Sequence, residues 1–366
     1  SWYDGLVIFL EGFELHGNID QAQNFLQSIK SGRFLLSFVM SYTQTCEIPG
    51  ITIAGADSNS MKYTPPADAE YLHYGYCKTI DGIPMTPDGK PTPALLTKTA
   101  LESASIPHLT INAGSKITPQ LPFIETGLSF GKNISVEPAM TDSEVSSAVE
   151  FGRIVGRNMA SLTDCLVIGE SIPGGTTTAL AVLKAFDFDA KTSSSIPTNP
   201  IKLKNEVVDS AIKRIDSDHP YSILAKVGDP MIAFVAGMLS SASAVSKVML
   251  AGGTQMTAVL AFASKIGFNE ENTAIGTTSY ITNDQNANFT NIIKQIADIP
   301  AISVNPGLDN SKYSGLKAFS EGFGKEGVGA GGTIISSMLK TGNDSTKFLN
   351  LAEQEYDRLS NLSKNW

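Results

Sequence analysis

The chain has 366 residues, with 27 Lys+Arg against 36 Asp+Glu, a formal net charge of −9 and a pI near 5.0. Hydrophobic residues make up 42% and charged residues 17%, where an average soluble protein has roughly 25% charged, so a large core is available and disorder is excluded. An acidic chain with no Lys/Arg run repels a polyphosphate, which argues against nucleic-acid coating.

Along the chain, LVIFL at 6–10 is too short for a signal peptide and lacks a basic region before it. Residues 18–30 read as a helix with one polar face. FLLSFVM (34–40) and ITIAGA (51–56) read as strands. PPADAEY and GIPMTPDGKPTP read as loops, dense in Pro and Gly. A helix over 92–105, the strand HLTINAG (108–114) and a helix over 143–161 follow. CLVIGE (165–170) is a strand leading to a helix over 176–187, the loop SSSIPTNP and helices over 203–215 and 230–243. KVMLAGG (247–253), a helix over 254–266, NTAIGTT (272–278), a helix over 287–297 and PAISVNP (300–306) continue the alternation. Helices over 313–322, over TIISSMLK and over 345–363 complete it.

Two uncharged stretches, 230–246 and 248–264, approach membrane-spanning length. Ser, Gly, Thr and Gln interrupt them, and a span needs ~20 mostly apolar residues, so they read as buried core, with a dimer interface as the other option. The strands are apolar without strict alternation, as in sheets covered on both faces. Strand–helix alternation predicts an α/β fold, a three-layer, doubly wound, mainly parallel sheet with right-handed crossovers. The expected division is a Rossmann-like nucleotide-binding domain over 31–335 and a small helical subdomain from 1–30 plus 336–366.

Cys46, Cys77 and Cys165 are isolated, with no CxxC spacing. They indicate a reducing, cytoplasmic setting rather than a disulfide framework or a zinc site. The four histidines are scattered, with no HxH or HExxH, and read as surface or packed residues. No metal and no cofactor is expected.

Several predicted strands end in glycine just before a helix, where open α/β sheets bind ligands. In GESIPGGTTTA (169–179), the spacing Gly169-x4-Gly174-Gly175-Thr176 mimics the phosphate loop GxxxxGK[ST], with Gly175 in place of the lysine. ATP hydrolysis is disfavoured without that lysine. The turn still aims backbone N–H groups and a helix N-terminus at an anion. A tight turn that merely needs glycine is the other reading. AGGTQM (251–256), IGTTSY (275–280) and KEGVGAGGT (325–333) are further turns of this kind. Glu326 precedes one of them and reads either as a capping carboxylate or as a general base in a narrow cleft. Glu170 follows the CLVIG strand, as a solvated strand end or as a second carboxylate. Lys204 begins an amphipathic helix, where lysine is ordinarily exposed.

At these turns the chain resembles the nicotinate-nucleotide:dimethylbenzimidazole phosphoribosyltransferase family, in particular its divergent archaeal-type branch. GESIPGGTTTALAVL, the block HPYSILAKVGDPMIAFVAGMLSSASAVSKVMLAGGTQMTAVLA and KEGVGAGG carry the likeness, which runs over roughly 50–335. GADSNSMKYTPPADAEY resembles, more weakly, an early loop that contacts the base. The resemblance implies that Glu326 is the catalytic glutamate that takes a proton from the nucleobase. It implies phosphate and ribose contacts at Glu170, Gly174, Gly175, Thr176, Gly252, Gly253 and Gly327, and a phosphate-binding role for Lys204. Thr277 and Thr278 stand in for the family's Ser/Gly phosphate segment. Ala251 occupies the position of the family's aspartate before Gly252, and Asp229-Pro230 lies near the position of another family glutamate.

The implied activity is that of an enzyme, a pentosyltransferase. It moves the phosphoribosyl group of nicotinate mononucleotide to a nucleobase, dimethylbenzimidazole or similar, in cobalamin nucleotide-loop assembly. The implied partners are those two small molecules and a second copy in a homodimer, with no nucleic acid and no membrane. A non-catalytic binder of a nucleotide or corrinoid-pathway metabolite on the same scaffold is the alternative, with a different phosphotransferase or NTPase third.

Overall fold

The computed structural model describes residues 7–10, 12–52, 57–85, 88–194 and 196–364. Its strands are β1 Val7–Leu10, β2 Phe13–His16, β3 Phe34–Met40, β4 His108–Asn112, β5 Ile124–Glu125, β6 Cys165–Ser171, β7 Lys247–Ala251, β8 Thr273–Thr278 and β9 Ala301–Val304. The α-helices are α1 Ile19–Ile29, α2 Thr64–Tyr74, α3 Ala94–Ala104, α4 Asp142–Ala160, α5 Gly175–Ala185, α6 Ile201–Ile212, α7 Pro220–Val227, α8 Pro230–Ala242, α9 Thr254–Ile266, α10 Ser279–Thr282, α11 Phe289–Ile296, α12 Ser314–Ser320, α13 Ala330–Thr341 and α14 Ser345–Ser363.

All the described strands form one sheet in the order β1-β2-β9-β8-β7-β6-β3-β4-β5. From β9 to β5 every pairing is parallel, and β2 joins β9 antiparallel. Successive residues of a strand point to opposite faces. In β6, Leu166 and Ile168 enter one core and Cys165 and Val167 the other. Helices α4–α9 and α11 cover the first face, and α1–α3 and α12–α14 the second. This is the three-layer, doubly wound α/β architecture expected from the alternation. The weakly charged 230–264 region is core: Met231–Ala236, Val248–Ala251 and Ala258–Ala263 are fully buried. Among the described residues no helix is long and apolar enough to cross a membrane.

Of the terminal segments expected to form a helical subdomain, 18–30 is α1 and 345–363 is α14. Both contribute to the core on the second face, α1 through Phe25 and Leu26 and α14 through Phe348 and Leu359. The N-terminal segment also supplies β1 and β2 to the sheet edge.

The reading of PPADAEY as a loop is corrected, because it lies inside α2. Pro65 and Pro66 sit in the first turn, where the missing N–H groups have no intrahelical partner to lose. Gly75 then ends the helix in a left-handed conformation. Of the expected strand 51–56, residues 53–56 lie outside the described residues, and Ile51 and Thr52 are not in a strand. The histidines have structural surroundings: His16 meets Ser303, His73 stacks on His108, and the ring of His219 caps α7.

The strand order reverses direction between β3 and β6. Strands β4 and β5 build outward on one side, and β7, β8 and β9 on the other. The crevice at the carboxyl ends of β3 and β6 is therefore the topological switch point, where such sheets bind ligands.

Candidate active site

The turn after β6 opens this crevice. Gly174 is the N-cap of α5 with φ +79°, and a Cβ there would lie 2.9 Å from the backbone of Cys46. Glycine is thus required by both conformation and space. Gly175 and Thr176 form the first turn of α5. The hydroxyl of Thr177, one residue on, is buried without a hydrogen-bond partner. On the neighbouring strand, Gly252 and Gly253 lead from β7 into α9. A Cβ on Gly253 would lie 3.6 Å from the Cβ of Glu326.

Glu326 itself sits in the loop before α13, half-buried, in a cradle of donors. Its Oε2 accepts from the Thr278 N–H at 3.1 Å, the Gly331 N–H at 3.2 Å and the Thr277 hydroxyl at 3.4 Å. Its Oε1 accepts from the Gly327 and Gly331 N–H groups, each at 3.1 Å. A Cβ on Gly331 would come within 2.2 Å of the Thr277 carbonyl carbon and 2.6 Å of Glu326 Oε2. Only glycine lets that N–H reach the carboxylate. Burial pushes the Glu326 carboxyl up to about 7 against the pull of these donors.

Three more carboxyls converge here. Glu170 is buried at the end of β6, and its carbonyl accepts from the Val328 N–H at 2.9 Å. Burial, then the charges of Asp229, Glu326 and Asp68, push its carboxyl up to about 8. Asp229 caps α8, accepts from the Thr178 hydroxyl at 2.6 Å, and is raised by burial to about 6. Asp68 on α2 accepts from Ser171 at 3.1 Å and Thr92 at 3.3 Å, and is raised by burial to about 7. Environments that hold carboxyls near neutrality suit proton transfer. Among the described residues no group of three or more His, Cys, Asp or Glu side chains is arranged to hold a metal ion.

The cationic part of the crevice is built around the loop at 193–194. Lys204, expected at an exposed position, is 1% exposed on α6 and donates to the Ser193 carbonyl at 2.7 Å. Burial holds its pKa down to about 7. Lys325 donates to the next carbonyl, Ser194, at 3.2 Å, and lies 3.3 Å from Asp284. The Ser193 N–H donates to the hydroxyl of Thr254, the first residue of α9.

The crevice therefore gathers turns that are far apart in sequence. Glu326, Gly327, Thr277, Thr278 and Gly253 are in one cradle, and the charge of Glu326 acts on Glu170. The α5 turn lies beside α9, because a Cβ on Gly175 would be 3.4 Å from Gln255. Thr277 and Thr278, expected on the phosphate, are bonded to Glu326, and the Thr278 hydroxyl also donates to the Lys325 carbonyl. Ala251 is fully buried, and a Cβ on Gly332 would lie 2.4 Å from its methyl, so the first turn of α13 packs where the family's aspartate would stand. No local pattern in the sequence singles out Asp68, Ser193 or Gly331 as site residues. Lys325 had one visible signal, its position directly before Glu326.

The resemblance to the phosphoribosyltransferase family is borne out by comparison. A family model described as Phosphoribosyltransferase (DBI_PRT) matches residues 108–279, which agrees with the enzyme class expected from the sequence. A UPF0284 protein of Archaeoglobus fulgidus is 45% identical over 331 residues, covering 90% of this chain and 95% of its own. A UPF0284 protein of Methanopyrus kandleri is 32% identical over 358 residues, covering 95% and 94%. Among solved structures, CobT from Thermus thermophilus superposes with a TM-score of 0.59 at 16% identity, covering 90% of this chain and 89% of that one. A second structure, of the nicotinate-nucleotide-dimethylbenzimidazole phosphoribosyltransferase of the same organism, gives 0.59 at 15% identity, covering 89% and 86%. At these identities the two structures establish a common fold.

Proposed function

The chain belongs to the UPF0284 family, and from that premise we propose that its crevice transfers the phosphoribosyl group of nicotinate mononucleotide to a nucleobase. The product is an α-riboside 5′-phosphate for assembly of the cobalamin nucleotide loop. The observation that carries this reading is Glu326, a carboxyl held near neutrality in a cradle of N–H donors at the carboxyl ends of β7 and β8.

The nicotinate ring of the donor is a pyridinium. When its bond to ribose C1′ breaks, it takes the electron pair and leaves as a neutral ring nitrogen. A nitrogen of the incoming base forms the new bond to C1′ from the opposite face. The N–H proton of that base passes to the Glu326 carboxylate, and the product base is neutral. Holding both rings in line with C1′ supplies much of the rate. A carboxyl of pKa about 7 is well matched to this proton transfer. Lys204 and the N–H groups at the start of α5 would anchor the 5′-phosphate.

A second reading, binding without turnover, is favoured by Ala251, because the aspartate of the resembling family is replaced there by a buried methyl. Calorimetry with the mononucleotide, alone and then with a base, separates the two: heat of binding with no nicotinate release supports the binder. A homodimer and a cytoplasmic setting complete the proposal. Three buried free cysteines suit a reducing compartment, and sedimentation tests the dimer.

A further inference from the structure

Three buried charges next to the carboxylate cradle are not accounted for by Glu326 chemistry. Lys204 and Lys325 bond to consecutive carbonyls, of Ser193 and Ser194, so their ammonium groups lie on one stretch of chain. The side chains of Lys325 and Asp284 are 9% and 4% exposed, and Lys204 is 1% exposed. Lys325 pairs with Asp284, whereas among the described residues Lys204 has no carboxylate within ion-pair distance, although buried charges are ordinarily paired. The arrangement also leaves bonding capacity unused. Beyond the ion pair with Lys325, Oδ2 of Asp284 has no hydrogen-bond partner, and neither has the hydroxyl of Ser193. Among the described residues Lys204 has a single acceptor for its three donors. Repulsion from Lys325 adds to burial in lowering the pKa of Lys204.

We propose that Lys325 is a second phosphate anchor beside Lys204, and that Asp284 holds Lys325 in place until phosphate arrives. This rests on reading the crevice as a mononucleotide site. A phosphate monoester carries close to two negative charges at neutral pH and three acceptor oxygens, which matches two ammonium groups better than Asp284 does alone. Lys325 is also the residue before Glu326, and the Thr278 hydroxyl donates to its carbonyl at 2.7 Å. Seating of the phosphate is thereby tied to the segment that carries the carboxylate.

The test is equilibrium binding of nicotinate mononucleotide, its unphosphorylated nucleoside and inorganic phosphate to the full chain, as wild type, Lys325→Met and Lys325→Arg. Lys325→Met is expected to weaken mononucleotide binding by about 10- to 100-fold, the size of a lost hydrogen bond to a charged group. Nucleoside binding should be unchanged, and Lys325→Arg should keep most of the preference for phosphate. Mononucleotide binding by Lys325→Met as tight as wild type overturns the proposal. So does an equal loss for mononucleotide and nucleoside, which is the mark of a purely structural lysine. Wild-type binding of inorganic phosphate but not of mononucleotide, lost in Lys325→Met, upholds the two-lysine pocket and removes the nucleotide reading instead.

Discussion

Thr278 and Glu326 are joined backbone to side chain: the Thr278 N–H, at the carboxyl end of β8, donates to Glu326 Oε2 at 3.1 Å. The bond fixes a loop carboxylate to the central sheet. With Gly327 and Gly331 it leaves the carboxyl oriented before any ligand binds, and an oriented group need not be reorganised during the reaction.

Glu326→Gln keeps the shape of this group and removes its basicity. Mononucleotide affinity should stay within a few-fold of wild type, while turnover falls by about 10²- to 10⁴-fold, the usual worth of a general base. Single-turnover kinetics beside a binding isotherm measure both. Near-wild-type turnover would remove Glu326 from the mechanism.

The pH profile of kcat/KM should be a narrow bell centred near neutrality. The Glu326 carboxyl, at about 7, becomes a competent base as pH rises, and Lys204, also at about 7, loses its charge over the same range. The acid limb then belongs to the carboxyl and the alkaline limb to the lysine. In Lys204→Arg the alkaline limb should move upward, because a guanidinium stays charged. An alkaline limb that does not move assigns it to another group.

Gly331→Ala tests the cradle through sterics alone. The new methyl would meet the Thr277 carbonyl carbon at 2.2 Å and Glu326 Oε2 at 2.6 Å. A shift of α13 or of the carboxylate must follow, at about 1–3 kcal/mol in stability. Denaturant unfolding should show the loss, and kcat should fall with it. A variant that keeps wild-type stability and kcat shows that the close packing is not needed.

Glu170→Gln addresses the cluster energetically. The Glu170 carboxyl is raised from 4.5 to about 8 in the fold. The folded state therefore binds this proton more tightly than the unfolded state. Its contribution to stability is full below about pH 4.5 and is lost as pH rises through about 8. Neutral glutamine removes that loss, so the variant should gain on the order of 4 kcal/mol over wild type at about pH 8 and under about 1 kcal/mol at about pH 5. Thermal unfolding at the two pH values measures it. Equal effects at both would place the raised pKa in doubt.

Much of the frame was legible because local patterns determine it. The sequence pattern places β3 at 34–40, α9 at 254–266 and α14 at 345–363, each matching the structure. In these segments apolar runs and helical periodicity are unambiguous. α2 was not, because a Pro-Pro pair reads as a loop unless it falls in a first turn. The glycine turns after β6 and β7 are legible, since strand-then-glycine-then-helix is a local signal, but Gly276 lies inside β8 and the 325–333 turn follows α12 rather than a strand, which corrects the expectation for those two. The burial of Lys204 was not legible, because lysine is ordinarily solvated and the Ser193 carbonyl that receives it is contributed by a separate loop. Asp68 escaped for a similar reason: its partner Ser171 is 103 residues away, and nothing local to either residue announces the pairing.

The most direct measurement of the central claim is incubation of the full chain with nicotinate mononucleotide and a panel of bases, followed by mass spectrometry. The account predicts free nicotinate and an α-riboside 5′-phosphate in equal amounts with at least one base, and both formed at least about 10²-fold more slowly with Glu326→Gln. Mononucleotide bound by the wild type, with no riboside product from any base, would contradict it.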